Sequence, residues 1–185
     1  MRPDGFVAVY ELLNSPSFRN VSFDLLQDIV NNDAKQRYLL IQEPAAPETQ
    51  SKTTATQWFI RANQGHSIAL DNQALYTRIT DPADLPEVVV HGTYEKCWPA
   101  IERQGLKKMS RTHIHFAPGF VGQRGVISGM RANCEVFIFI DAKRAMQDGI
   151  QFYRSHNQVI LSDGIDGVIL PKYFKEVKRR SELNL

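Results

Sequence analysis

Arg61 stands in "RANQGHS", His91 closes the run "VVVH" ahead of Gly92-Thr93, His113 and His115 alternate in "RTHIHF", and Arg131 sits in "SGMRANCE". Arginine carries a rigid fork of donors that matches phosphate in a bidentate grip. Two histidines at i and i+2 of a strand point to the same face. The Gly92-Thr93 pair lets a ligand approach the backbone closely. Arg111 shares the same setting, flanked by strand and turn residues and not by a solvated helix face. Together these residues would grip phosphates and a sugar. At this level the reaction stays open: a phosphate-bearing ligand, with no metal and no obvious nucleophile.

Other chemistries find less support. The histidine pair could be an arm of a zinc site, but no third Cys, His or acid stands at a usual spacing, so no metal is expected. No G-x-S-x-G elbow is present for a hydrolase. Neither "HGT" nor "GIDGVILP" is a P-loop or a G-x-G-x-x-G fingerprint. Taken singly, each histidine reads as readily as a structural residue.

The elements that must position these residues form an α+β pattern. Val21–Asn31 reads as a helix capped by Ser22, with Val21 and Leu26 as its staple and Leu25, Leu26, Ile29 and Val30 as its apolar stripe. "GFVAVYELLNS" is a short strand and a helical turn. Gln36–Glu43, "TQWFIRA" and "HSIAL" read as strands. The Pro- and Thr-rich stretch from Pro44 to Thr56 is expected to be a mobile tip. A helix followed by two strands joined by a tip predicts a wing. Ile79–Glu87, with two prolines and three acids, is the expected linker. Beyond it come a buried strand "EVVVHGT", a helix "PAIERQG" stopped by Gly105, the strands "THIHFAPG" and "CEVFIFID", a helix "DAKRAMQDG" stopped by Gly149, and the strands "QVILSDG" and "GVILP". A basic helix "KYFKEVKRRSEL" closes the pattern.

Composition sets the bounds. The 185 residues are 43% hydrophobic and 23% charged, which is ordinary for a folded domain. No apolar run reaches the roughly 18–20 residues of a membrane span, and the first residues lack the core of a signal peptide. Cys97 and Cys134 match no metal or redox spacing, so a reducing, intracellular setting is expected. Charge is uneven: residues 1–86 hold 7 Lys/Arg against 10 Asp/Glu, and residues 87–185 hold 15 against 10. A basic second half fits an anionic ligand such as a nucleotide or RNA.

The blocks "RANQGHS", "HGTYEKCWPAIERQGL", "RTHIHFAPG", "GMRANCEVFIFID", "DGIQFYRSHNQVILSDG" and "DGVILPKYF", in this order, resemble the tRNA 2′-phosphotransferases. "DGFVAVYELL" and "NNDAKQRYLL" resemble that family's N-terminal lobe, so the match runs from about Pro3 to Lys175. The resemblance implies a winged-helix-like RNA-binding lobe over residues 1–80 and an ADP-ribosyltransferase-type lobe with an NAD cleft over residues 88–185. It implies NAD as co-substrate, 2′-phosphorylated tRNA or other RNA as partner, and no metal; a monomer in the cytoplasm or nucleus is expected. The implied reaction is the last step of tRNA splicing. The RNA 2′-phosphate attacks C1″ of the nicotinamide ribose and expels nicotinamide; the ribose 2″-OH then attacks the phosphorus. The products are RNA with a free 2′-OH, ADP-ribose 1″,2″-cyclic phosphate and nicotinamide.

By that resemblance Arg61 and Arg131 match two catalytic arginines. His91, Gly92, Thr93, His113 and His115 match the NAD-binding part of the second lobe, and Asn157 of "SHNQVIL" lies along the same cleft. The family usually opens with a helix ending in "LRH", whose Arg and His complete an Arg-His-Arg-Arg set. This sequence holds no Arg-His dipeptide, and Arg2, followed by Pro3, does not match. One alternative to the implied reaction is therefore a poor 2′-phosphotransferase, a catalytically impaired NAD- and RNA-binding form. A further alternative is ADP-ribosylation of nucleic-acid phosphate ends without the second step.

Overall fold

A computed structural model describes residues 1–44, 56–68, 70–120 and 126–183. The chain divides into two compact units: Met1–Asn63 with Leu70–Leu75, and Gln64–Ala69 with Tyr76–Leu185.

The first unit runs β1 (Val7–Ala8), α1 (Val9–Leu13), a 3-10 turn (Pro16–Phe18), α2 (Phe23–Asn32), β2 (Tyr38–Pro44), β3 (Thr56–Ala62) and α3 (Asn72–Leu75). Its antiparallel sheet has the order β1-β3-β2, so β3 is central and Ile60 faces both Val7 and Leu40 in register. Ser22 caps α2 as the sequence predicts, accepting from the Leu25 amide at 3.2 Å. The apolar stripe is narrower than expected. Leu26 and Val30 join Val9, Ile60 and Trp58 in the core, whereas Leu25 and Ile29 are 45% and 47% exposed. A small unit has inner surface for only one of the two adjacent i, i+4 rows. The expected mobile tip, Pro44–Thr56, has its first and last residues in β2 and β3, and its residues 45–55 lie outside the described residues.

The second unit runs β4 (Thr77–Ile79), a 3-10 turn (Pro82–Asp84), β5 (Val90–Thr93), a 3-10 turn (Glu95–Cys97), α4 (Trp98–Gln104), β6 (Leu106–Lys107), β7 (Ile114–Phe116), β8 (Val136–Ile140), α5 (Ala142–Gln147), β9 (Phe152–Arg154), β10 (Ile160–Ser162), β11 (Val168–Ile169), a 3-10 turn (Pro171–Tyr173), β12 (Phe174–Arg179) and a final 3-10 turn (Arg180–Glu182). Its described residues build three sheets, ordered β4-β9-β10-β7, β11-β6 and β12-β8-β5, and the pairings among them are antiparallel. Mutual bonds between the backbones of Val90 and Ala117, at 3.0 and 2.8 Å, stitch β5 to the end of β7. The main core joins Phe116, Val136, Ile138, Phe152, Ile160 and Tyr173. Gly105, at φ +83°, stops α4 where a side chain would strike the Ile169 carbonyl at 2.3 Å.

Three expected elements differ. The described residues of "HSIAL", 66–68 and 70, form no strand: the His66 carbonyl accepts from the Thr112 amide at 3.1 Å and the Thr112 hydroxyl at 3.2 Å, and Ile68 is 49% exposed. The expected linker Ile79–Glu87 is built into the second unit: Ile79 ends β4, Asp81 caps the following turn, and Leu85 is buried. The basic "helix" is strand β12. Strand β8 is buried on nearly every residue and needs a partner on both edges; β12 fills one edge, and its Lys175, Lys178 and Arg179 belong to a sheet edge.

Candidate active site

The sequence-predicted histidines of the second unit are chained through their backbones. His91 on β5 places Nδ1 2.9 Å from the carbonyl of His115, and His115 on β7 places Nδ1 3.0 Å from the carbonyl of His113. A carbonyl only accepts, so each Nδ1 carries the hydrogen. While the rings are neutral, each Nε2 is therefore a bare acceptor lone pair. Burial keeps them neutral. It is the main cause that depresses both pKa values, His115 to about 3, and the nearby Arg111 charge adds to it. His115 is 8% exposed, and its Nε2 has no hydrogen-bond partner among the described residues. A side chain on Gly65 would stand 3.8 Å from that nitrogen. The pair is thus suited to accept from hydroxyl or amide donors, and unsuited to grip phosphate as imidazolium.

His113 has different surroundings. Its Nε2 lies 3.0 Å from Asp163 Oδ1, its Nδ1 lies 2.9 Å from Thr112 Oγ1, and the rings of Tyr76 and Tyr153 pack edge-on at 5.2 and 5.7 Å. Burial lowers its pKa and Asp163 opposes the shift. Carboxylate and hydroxyl thus flank the imidazole; the Asp163 contact is an ion-pair distance without hydrogen-bond geometry, and the hydroxyl also bonds the His66 carbonyl. The arrangement ties residues 64–68 to β7; His66 adds a 3.2 Å contact from Nδ1 to the Tyr76 hydroxyl.

Gly92 and Thr93 follow His91 on β5. The space a Cβ would need at Gly92 is occupied by Cys134, with Sγ at 2.7 Å, so packing alone demands glycine there. Thr93 is buried, and its carbonyl accepts from the Glu135 amide at 2.8 Å. Arg131 is exposed on the loop entering β8. Its Nη1 donates to the Tyr94 hydroxyl at 3.2 Å, which raises its pKa further, and Tyr94 donates to Asn133 Oδ1 at 3.1 Å. Asn157 is fully buried in the β9–β10 turn, where its Oδ1 accepts from the Ser155 hydroxyl at 2.8 Å.

Arg61 belongs to the first unit. Its Nη1 donates to the carbonyls of Asp4 at 3.0 Å and Ala74 at 3.3 Å, and its guanidinium lies over the Phe6 ring at 4.7 Å. Asn63 donates to the Gln36 carbonyl at 2.7 Å. Arg2 bridges Asp4 and Glu43 at 2.7 and 2.8 Å. Among the described residues no three or more His, Cys, Asp or Glu gather as a metal site, and no helix is long and apolar enough to cross a membrane.

A family model described as "RNA 2'-phosphotransferase, Tpt1 / KptA family" matches residues 1–164. The chain belongs to this family. Mouse (Mus musculus) tRNA 2'-phosphotransferase 1 is 48% identical over 177 residues, covering 95% of this chain and 67% of that protein. The zebrafish (Danio rerio) tRNA 2'-phosphotransferase 1 is 43% identical over 184 residues, covering 99% of this chain and 78% of that protein. A putative tRNA 2'-phosphotransferase of Schizosaccharomyces pombe is 42% identical over 178 residues, covering 96% of this chain and 45% of that protein. The chain therefore spans from under half to about three quarters of the length of these relatives.

For a member of the 2′-phosphotransferase family, the geometry adds residues that the sequence reading left out. Tyr94 holds Arg131, Asp163 faces His113, and Gly65 stands before His115. Tyr94 was findable, being adjacent to the "HGT" block. Asp163 was not, because only the β7–β10 pairing brings it to His113.

Proposed function

We propose that this chain removes the splice-junction 2′-phosphate of ligated tRNA and transfers it to NAD, giving RNA 2′-OH, ADP-ribose 1″,2″-cyclic phosphate and nicotinamide. Family membership supports the phosphotransfer. The observation that carries the NAD reading is the buried, unpartnered Nε2 of His115, held as an acceptor by the Nδ1 bond to the His113 carbonyl. An orphaned buried acceptor is costly unless a ligand donor meets it. NAD offers such donors in its ribose hydroxyls and carboxamide, and so fits the site. His115 and His91 would hold it through these acceptors, with Thr93 beside them. When bound, NAD supplies an electrophilic ribose carbon and the neighbouring hydroxyl.

The chain's own residues contribute charge and position. A phosphate dianion is already nucleophilic, so no Ser or Cys is required; what the reaction demands is orientation and neutralisation of a crowded anionic phosphorus. Arg131, exposed and permanently charged, is the donor of the second unit for that task. Arg61 has the same role in the first unit, its fork steadied by Asp4, Ala74 and Phe6. Helix α2 and the β2–β3 pair support a winged-helix-like RNA lobe. The small antiparallel sheets carrying His91 and His115 support an ADP-ribosyltransferase-type NAD lobe.

The test is to mix the chain with an RNA oligonucleotide carrying one internal 2′-phosphate, with and without NAD. Loss of the 2′-phosphate and release of nicotinamide, each requiring both substrates, is the expected result. ADP-ribose left on the RNA, or NAD bound with no nicotinamide released, would overturn the proposal.

A further inference from the structure

Arg131 sits on a loop with little regular structure of its own, between Ser128 and β8. A catalytic arginine there works only if the loop has one position. The structure supplies that constraint from the far end of the sequence. Arg180 donates from both Nη1 and Nη2 to one acceptor, the Ala132 carbonyl, at 2.9 and 2.7 Å. Its own amide donates to the Glu135 carbonyl at 2.8 Å. Three bonds from one residue thus bracket the peptide after Arg131 and the start of β8. Three residues on, Leu183 packs against the cluster that holds Met130 and Cys134, the residues before and after the Arg131–Asn133 stretch. On the opposite side Arg179 binds Glu95 at 3.0 Å, next to the Tyr94 that receives the Arg131 guanidinium. Both partners of the Arg131–Tyr94 pair are therefore held by neighbours tied to Arg179 and Arg180.

We infer that Arg180 is a positioning residue for the reaction: its guanidinium fork fixes the Ala132 peptide and, through it, the place of Arg131. The inference rests on the catalytic reading of Arg131. A simple structural role does not need this geometry. Two donors on one exposed carbonyl add little stability in water, yet they remove the swing of a loop carrying a reactive group. Arg180 also lies outside residues 1–164, the part matched by the family model, so the motif blocks themselves give no sign of it.

The test is a double-mutant cycle on single-turnover rates, with internally 2′-phosphorylated RNA and NAD both saturating. Arg180→Ala is expected to slow the chemical step about tenfold, as misplacement of a catalytic group does, while NAD affinity and thermal midpoint stay near wild type. Arg180→Lys keeps one donor and should recover part of the rate; it carries the same cycle if Arg180→Ala fails to fold. The double variant R131A/R180A is expected to be no slower than R131A. If R131A is slow and R180A slows it further by the full factor, the positioning role is overturned alone. A wild-type rate in R180A overturns it as well. A wild-type rate in R131A overturns the catalytic reading of Arg131 and the inference with it.

Discussion

Replacing His115 with phenylalanine tests the acceptor site at a single atom. The ring volume stays, and both nitrogens go. Two bonds are affected, and they are read separately. The Nδ1 bond to the His113 carbonyl, 3.0 Å long in a buried strand, is lost. An orphaned buried carbonyl costs about 1–3 kcal/mol of folding stability. The Nε2 lone pair is lost too, so a donor on bound NAD is left unpaired. The same range, about 1–3 kcal/mol, corresponds to NAD binding weakened roughly 5- to 150-fold. The chemical step at saturating NAD should change much less. Calorimetric titration with NAD measures the affinity, and circular dichroism verifies the fold. Unchanged NAD affinity in a folded His115→Phe protein would refute the argument. The protonation state gives a second reading. A ring with a pKa of about 3 stays neutral, so its contribution to NAD affinity should be flat from about pH 8 to about pH 5. Affinity that strengthens as pH falls through the ordinary histidine range would mean an imidazolium grip instead. Stability carries the linked sign. Below the unfolded histidine pKa the unfolded chain takes up a proton that buried His115 refuses. Stability is therefore present above that pKa and is lost as pH falls toward 3, by about 1.4 kcal/mol per pH unit from this group.

Arg61→Lys keeps the charge but loses the fork over Phe6; single-turnover rates should fall by about tenfold or more while NAD affinity holds, and an unchanged rate would remove Arg61 from the chemistry. Gly92→Ala puts a Cβ 2.7 Å from Cys134 Sγ and 3.0 Å from Cys134 Cβ, so urea titration should find a loss of about 1–3 kcal/mol. An alanine variant as stable as wild type would show that the Cys134 loop yields freely. Tyr94→Phe frees the Arg131 guanidinium at one end, and the expected outcome is a slower chemical step with an unchanged thermal midpoint.

Much of the candidate site could be assembled from the sequence because its histidines sit on short strands with a period of two. His113 and His115 two apart, His91 ending "VVV", and Arg131 just before "EVFIFI" needed no tertiary information. What escaped was what tertiary pairing decides. "RANQGHS" looks like one turn, yet Arg61 and Asn63 belong to the first unit and Gly65 and His66 to the second. No local signal marks that break. "KYFKEVKRRSEL" carries helix-forming lysines and arginines, but the unpaired edge of β8 claims it as a strand. Gly92 reads as an opening for a ligand, whereas Cys134, forty-odd residues later, takes the space. The histidines' protonation states were equally hidden, because they follow from which carbonyl each Nδ1 meets. The family blocks supplied the reaction that the residues alone left open.

In the proposed reaction the phosphate leaves RNA and arrives on NAD. The direct measurement uses an RNA whose single internal 2′-phosphate is radiolabelled, incubated with the chain and NAD and resolved by product. All released label is expected in ADP-ribose 1″,2″-cyclic phosphate, with RNA left as the 2′-hydroxyl and one nicotinamide formed per phosphate transferred. Label appearing as inorganic phosphate, or remaining on the RNA beneath an ADP-ribose group, would contradict it.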